Sequence, residues 1–398
     1  MSRSLARGAP PGAARPLHRC GTPHAHCRPF EHANRDWEPV VALFRELVAT
    51  QREPGGSLAI WRHGEPSLVV HGGSADLGRT APWTADTLVQ VFSTGKPLVA
   101  LAALGAVADG HLGLDDPVTA HWPAYRDAPD HATTLRMILS HRSGKHTFSP
   151  AAAGLDPRDH AALVHDLEAM EPLTAPGRDI VEHASTYGHL VDGLLAAAGA
   201  PSVRAYTETL SGLLGARLRF GVHPHELPLV AEPEPMGTTW TDPYLGHELG
   251  RAALLRPAAL LDTETLRSPT WHQTPFGATG LITDAASLAR LYDDLGRPDG
   301  HIARLLGPEL RSHLFTPAAT GTDAFLRDHV RWSLGFKIDE NGDTGMGGIG
   351  GSCAWYSPAH GYSLAYVTRG LHNHDRVTCL ADAVEDTLRP EPGTPTVG

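Results

Sequence analysis

Ser93 and Lys96 stand three residues apart in the run Val91-Phe92-Ser93-Thr94-Gly95-Lys96-Pro97. Residues at that spacing are neighbours on a helix surface, so a hydroxyl and an amine would sit side by side. If Ser93 opens a helix, unpaired backbone N–H groups also surround it, because the first turn of a helix has no internal partners for them. An amine that can take a proton and N–H groups that can hold an oxyanion are what a serine needs to act as a nucleophile. The same four residues also fit a plain N-cap, since Ser-x-x-Lys is common by chance. The spacing alone leaves both readings open.

The surrounding pattern decides where the pair would lie. Residues 87–92 are rich in β-branched and aromatic types and read as a strand, whereas residues 98–107 are alanine and leucine and read as a helix. Ser93 then falls at the strand-to-helix junction. Pro97 is tolerated there, because a first-turn N–H is expendable. Upstream, residues 36–51 carry a helical period, and residues 57–62 and 67–72 read as a hairpin around His63-Gly64-Glu65. Downstream, helices are expected at 134–141 (capped by Thr133 or Thr134), 185–198 and 284–295, within a mostly helical stretch of residues 151–315. Strands return at 332–338, 351–357 and 362–368, followed by a helix over 375–388. Trp355 and Tyr356 should face opposite ways on their strand. The expected architecture is α/β (α+β): one antiparallel sheet built from both chain ends, flanked by helices, with an inserted helical lobe at roughly 118–315. The domain spans 35–388, between a disordered extension (1–34) and a Pro-rich tail (389–398).

Composition narrows the partners. With 33 Lys and Arg against 44 Asp and Glu, the formal charge of -11 argues against nucleic acid. No apolar run is long enough to span a bilayer, and no apolar leader opens the chain, so the expected compartment is the cytoplasm, with no membrane partner. Four cysteines are too few to staple 398 residues. His18, Cys20, His24, His26 and Cys27 cluster near the N-terminus, but their spacing matches no standard zinc site. No metal and no cofactor is expected. His141 reads as a structural hydrogen-bonding residue, and Trp271, Trp332, Trp355, Tyr356 and Tyr366 as core.

Several ordered segments resemble the serine β-lactamase and penicillin-binding-protein superfamily, most closely its branch of class C β-lactamases, D-alanyl-D-alanine carboxypeptidases and family VIII carboxylesterases. The Ser93-Thr94-Gly95-Lys96 run is similar to that family's first motif, and Gly110-His111-Leu112-Gly113-Leu114-Asp115-Asp116-Pro117 to the turn after its helix. Ile138-Leu139-Ser140-His141-Arg142-Ser143-Gly144, the run from Gly280 to Arg290, and Gly345 to Ser352 resemble later segments. The resemblance implies acyl transfer through an acyl-enzyme on Ser93, with Lys96 as proton acceptor or as the charge that lowers the proton acceptor's pKa, and the backbone amides of Ser93 and Ile349 as oxyanion donors.

Two motifs depart from the family pattern. Where relatives place a tyrosine on a helix facing the serine, this chain reads Glu182-His183-Ala184-Ser185-Thr186-Tyr187-Gly188, so Glu182 takes the tyrosine's place, with His183 and Tyr187 as alternative pocket residues. A carboxylate starts near pKa 4 and a phenol near 10, so the two are different bases. Where relatives carry Lys-Thr-Gly or His-x-Gly, this chain has Met346-Gly347-Gly348, which removes the cation that would face a substrate carboxylate. Met346 then reads as a pocket-lining thioether. The expected function is a serine hydrolase or acyltransferase acting on a small ester, thioester or amide, with secondary metabolism as a setting. The alternatives are a lyase, isomerase or cyclase using Glu182 as acid and base, or a noncatalytic binding descendant. The sequence gives no oligomeric state.

Overall fold

The computed structural model describes residues 37–237 and 240–389. The N-terminal His/Cys cluster and most of the two expected tails lie outside them. Helix α1 (Glu38–Ala49) follows the predicted period, turning Val40, Val41, Phe44, Leu47 and Val48 inward. Strands β1 (Gly55–Arg62) and β2 (Glu65–Gly73) form the predicted hairpin. Six more strands follow late in the chain: β3 (Ala319–Asp323), β4 (Asp328–Trp332), β5 (Lys337–Ile338), β6 (Thr344–Gly347), β7 (Cys353–Ser357) and β8 (Tyr362–Thr368). The sheet order is β2-β1-β8-β7-β6-β5-β4-β3, and every pairing is antiparallel. One sheet is therefore assembled from both chain ends, as the sequence implied. The match between β1 and β8, Gly56 opposite Thr368 through Trp61 opposite Ser363, is the seam.

Alternation along the strands feeds two apolar layers. Leu58, Ile60, Trp355, Leu364 and Tyr366 face α1 and the closing helix α5 (Asp375–Leu388). Ala59, Ala354, Ala365 and Val367 face the larger core, which includes helices α2 (Lys96–Ala108) and α4 (Ala285–Gly296). Trp355 is wholly buried in the first layer and Tyr356 packs on the second, so the pair does face opposite ways. Between β2 and β3 the chain is mainly helical, and α2 lies inside it with every residue from Lys96 to Ala106 buried. A helix apolar all round belongs in a core. Among the described residues no helix is long and apolar enough to cross a membrane.

Three expectations need correction. The predicted strand over 87–92 shrinks to Val89–Gln90, which pairs with Leu281–Thr283 in a small separate sheet. The predicted strand over 332–338 is two strands, because Ser333 to Phe336 make a tight turn with Gly335 at φ 96°. A side chain at Gly335 would also strike Ala100 at 2.1 Å, so the turn sits directly on α2. Strand β3 was not foreseen, since Ala-Thr-Gly-Thr-Asp has no apolar alternation.

Candidate active site

Ser93 does not open the long helix. It lies in a 3-10 turn over Phe92–Gly95, and α2 begins at Lys96. The geometry that matters survives this shift, because the turn and the first helical residue still stack serine and lysine together. Phe92 has φ 51°, a left-handed conformation that a bulky residue rarely adopts, and this bend aims Ser93 away from the strand direction. The bend is held on all sides. Val91 donates its N–H to Leu281 O at 2.9 Å, Thr94 Oγ1 donates to Ser352 O at 3.2 Å, and Gln90 Nε2 donates to Thr279 O at 2.9 Å. Backbone strain at such a position persists only when its surroundings fix it.

Lys96 is fully buried, and its Nζ donates to Ser93 Oγ at 2.8 Å and to Glu182 Oε1 at 2.7 Å. Glu182 itself is 5% exposed. The three side chains form one buried series, hydroxyl to ammonium to carboxylate. A buried ion pair of this kind is costly to assemble and more costly to break on one side. Glu182 sits not on a helix but in the irregular segment just before α3 (Tyr187–Ala197). Its backbone neighbours are pinned: Val181 N–H donates to His141 O at 3.0 Å and Ala324 N–H to Ile180 O at 3.0 Å.

Ser93 and Glu182 open into a cleft. Its wall includes Tyr244, Leu254, Phe325, Trp332, Met346 and Ile349, with Gly348 at the edge of β6 and with Lys337 and His374 also present. Met346 packs with Ala319, Val330 and Trp332, a thioether in an apolar wall as the sequence suggested. Gly348 is required by close approach. A Cβ there would lie 2.2 Å from Val91 O and 2.9 Å from Thr94 Oγ1, so only glycine lets this strand end touch the nucleophile turn. Gly348 spends its own N–H on Ser352 O at 2.8 Å, and Ile349 follows it at the cleft wall.

His183 and Tyr187 are not brought to the cleft. His183 is wholly buried; its Nδ1–H donates to Val181 O at 2.8 Å, which makes Nε2 the acceptor for Ser143 Oγ at 2.6 Å. Burial pushes this imidazole down to about 3, so it stays neutral. Tyr187 donates its hydroxyl to Leu139 O at 3.3 Å, and burial raises its phenol above the ordinary value. His141 Nδ1 accepts the backbone N–H of His183 at 3.2 Å, and its ring packs at a tilt on His183 and Tyr187 and edge-on to Trp332. These residues are the scaffold behind Glu182, and His141 is structural as expected.

Sequence reading passed over Tyr244, Phe325 and Asp323, and took Trp332 only as core. Tyr244 comes from a short helix, Asp242–Leu245, and stacks on Phe325 with centroids 6.4 Å apart. Its phenol is raised by burial and by the charge of Glu182, so it remains a hydroxyl. No local signal marks it. Among the described residues no group of three or more His, Cys, Asp or Glu could hold a metal ion.

The beta-lactamase family model matches residues 40–388. The esterase/beta-lactamase LipL of Mycobacterium tuberculosis is 29% identical over 369 residues, covering 88% of this chain and 85% of that protein. The crystal structure of a penicillin-binding protein homologue from Caulobacter crescentus superposes with a TM-score of 0.76 at 27% identity, over 89% of this chain and 98% of the other. A family VIII carboxylesterase superposes with a TM-score of 0.77 at 21% identity, again over 89% and 98%.

Proposed function

Because this chain belongs to the beta-lactamase family, we propose that it is a serine hydrolase acting through an acyl-enzyme on small, uncharged esters. The observation that carries this reading is the continuous line from Ser93 Oγ through Lys96 Nζ to Glu182 Oε1 at the wall of an apolar cleft. In the first step the Lys96 ammonium passes a proton to the Glu182 carboxylate and takes the Ser93 hydroxyl proton as Oγ bonds to the ester carbonyl carbon. The carbonyl oxygen becomes an oxyanion facing the backbone N–H groups of Ser93 and Ile349. Collapse breaks the ester C–O bond, and the departing alkoxide takes the proton that Lys96 holds. Glu182 then returns its proton to Lys96. Water attacks the acyl carbon, its proton going to Lys96 as Lys96 again passes one to Glu182. Collapse releases the acid while Ser93 Oγ takes a proton from Lys96, which recovers its own from Glu182.

The choice of ester and of neutral substrates follows from the wall. Tyr244, Leu254, Phe325, Trp332, Met346 and Ile349 suit an apolar acyl group, and Met346 stands where relatives carry a group that can face a carboxylate. LipL, similar over most of its length, is described as an esterase/beta-lactamase. The test is the pre-steady-state release of p-nitrophenol from p-nitrophenyl butyrate. A burst of one equivalent per chain followed by slower turnover is expected, and Ser93→Ala should lose both phases. Linear release without a burst, with Ser93→Ala as active as the wild type, would remove the acyl-enzyme from the account.

A further inference from the structure

Asp323 ends β3 directly beside the cleft and is wholly buried. Its Oδ1 accepts the backbone N–H groups of Phe325 at 2.9 Å and Leu326 at 3.0 Å. That much is an ordinary local turn made by a short polar side chain. The other contacts are long-range. Oδ2 accepts the indole Nε1–H of Trp332 at 3.2 Å, and the next residue, Ala324, donates its N–H to Ile180 O at 3.0 Å, which ties this corner to the segment that carries Glu182. The three residues whose N–H groups it accepts, Phe325, Leu326 and Trp332, all line the cleft, as does Glu182. Among the described residues no cation pairs with it. The charge it feels is the negative one on Glu182, while Arg327, Asp328 and His329 of its own hairpin are exposed.

We infer that Asp323 is a positioning residue of this site: one buried carboxylate that fixes Trp332 and the Phe325-Leu326 turn in the acyl-binding wall beside Glu182. A buried carboxylate met only by N–H dipoles and placed beside a second carboxylate is unfavourable to fold around, so a role confined to the turn does not account for it. An asparagine would make the turn equally well. It would fail at Trp332, because its second amide atom is an NH₂ facing the indole N–H, itself a donor. The carboxylate is the group that can accept from both sides. Burial and the Glu182 charge together push Asp323 up to about 6, which makes its protonation readable near neutral pH.

The inference rests on the reading of this wall as the acyl-binding site, and Asp323→Asn separates the turn from the long-range role. Its local turn is preserved, so a folded variant is expected, with kcat for p-nitrophenyl butyrate down about 10- to 100-fold and KM raised through the loosened Trp332. A folded Asp323→Asn with wild-type kcat, KM and pH profile would overturn the proposal. A second measurement needs no turnover and no Asp323 variant. The indole N–H resonance of Trp332, assigned by its loss in Trp332→Phe, should titrate near pH 6 in the wild type, and its midpoint should fall in Glu182→Gln, where the neighbouring charge is gone. An indole signal that does not titrate, or a midpoint unmoved by Glu182→Gln, would refute the coupling even if Ser93 proved to be the nucleophile.

Discussion

Replacing Glu182 by glutamine keeps the shape of the side chain and removes the charge that Lys96 faces at 2.7 Å. At that distance two unit charges interact by about 6 kcal/mol at an effective dielectric constant of 20, before the cost of burying them is subtracted. Removing one partner of a buried pair typically costs about 3–5 kcal/mol, because the other charge is left without compensation. The consequence for chemistry is larger than for folding. Without the carboxylate, the Lys96 ammonium has nowhere to send its proton and remains a donor to Ser93 Oγ, so the hydroxyl cannot be deprotonated. A lost general base lowers the acylation rate by about 10²- to 10⁴-fold. The assay is the burst phase with p-nitrophenyl butyrate from pH 6 to 10, with urea unfolding of the same preparations. Glu182→Gln should show a burst slowed by that factor at pH 7. A folded Glu182→Gln with the wild-type burst rate and pH profile would show that Glu182 holds Lys96 without receiving its proton, and the relay would have to be abandoned.

Other consequences of the structure can be measured as directly. Lys145 is wholly buried, with Nζ donating to Leu167 O at 2.7 Å and lying 3.4 Å from the centre of the Tyr125 ring, and burial pushes it down to about 7. An amine whose folded value is depressed from 10.5 makes the unfolded chain the better proton binder between those values, so wild-type stability should rise from pH 7 to pH 10 by up to about 4 kcal/mol from this group; Lys145→Met should lack that rise in urea melts across the window. Gly348→Ala places a methyl group 2.2 Å from Val91 O, and since both partners are backbone the nucleophile turn must move, so a loss of at least about 100-fold in acylation and about 1–3 kcal/mol in stability is expected. Met346→Lys should raise the hydrolysis of a carboxylate-bearing substrate such as nitrocefin relative to p-nitrophenyl butyrate, by putting a cation at a cleft position now held by a thioether. An unchanged substrate ratio in a folded Met346→Lys would mean that this wall does not set charge preference.

The sequence carried the sheet and the reactive pair because both are written in short-range patterns. The hairpin of β1 and β2, the strand β8 and the helix α5 all follow from alternation or helical period, and β8 and α5 fall on the predicted residues. Ser93 and Lys96 were legible from spacing, although the junction proved to be a 3-10 turn and not the helix start. Glu182 was placed correctly beside Lys96 through its position in a motif, while His183 and Tyr187, one and five residues further on, turn into the scaffold. Nothing local distinguishes these fates, since all three are polar groups in one short stretch, Glu182 and His183 in the irregular segment and Tyr187 opening α3. Asp323 was invisible for a related reason. In sequence it is an aspartate in a hairpin turn, and only the folding of β3 and β4 against the segment before α3 brings Glu182, 141 residues earlier, to its carboxylate.

Of all measurements, direct detection of the covalent intermediate bears hardest on the central claim. Wild-type protein mixed with p-nitrophenyl butyrate, quenched in acid during the burst and measured by intact mass spectrometry, should gain the mass of one butyryl group. Peptide mapping should place that group on Ser93, and Ser93→Ala should gain nothing. Steady hydrolysis by the wild type with no acyl adduct, or an adduct on another residue that persists in Ser93→Ala, would contradict the account.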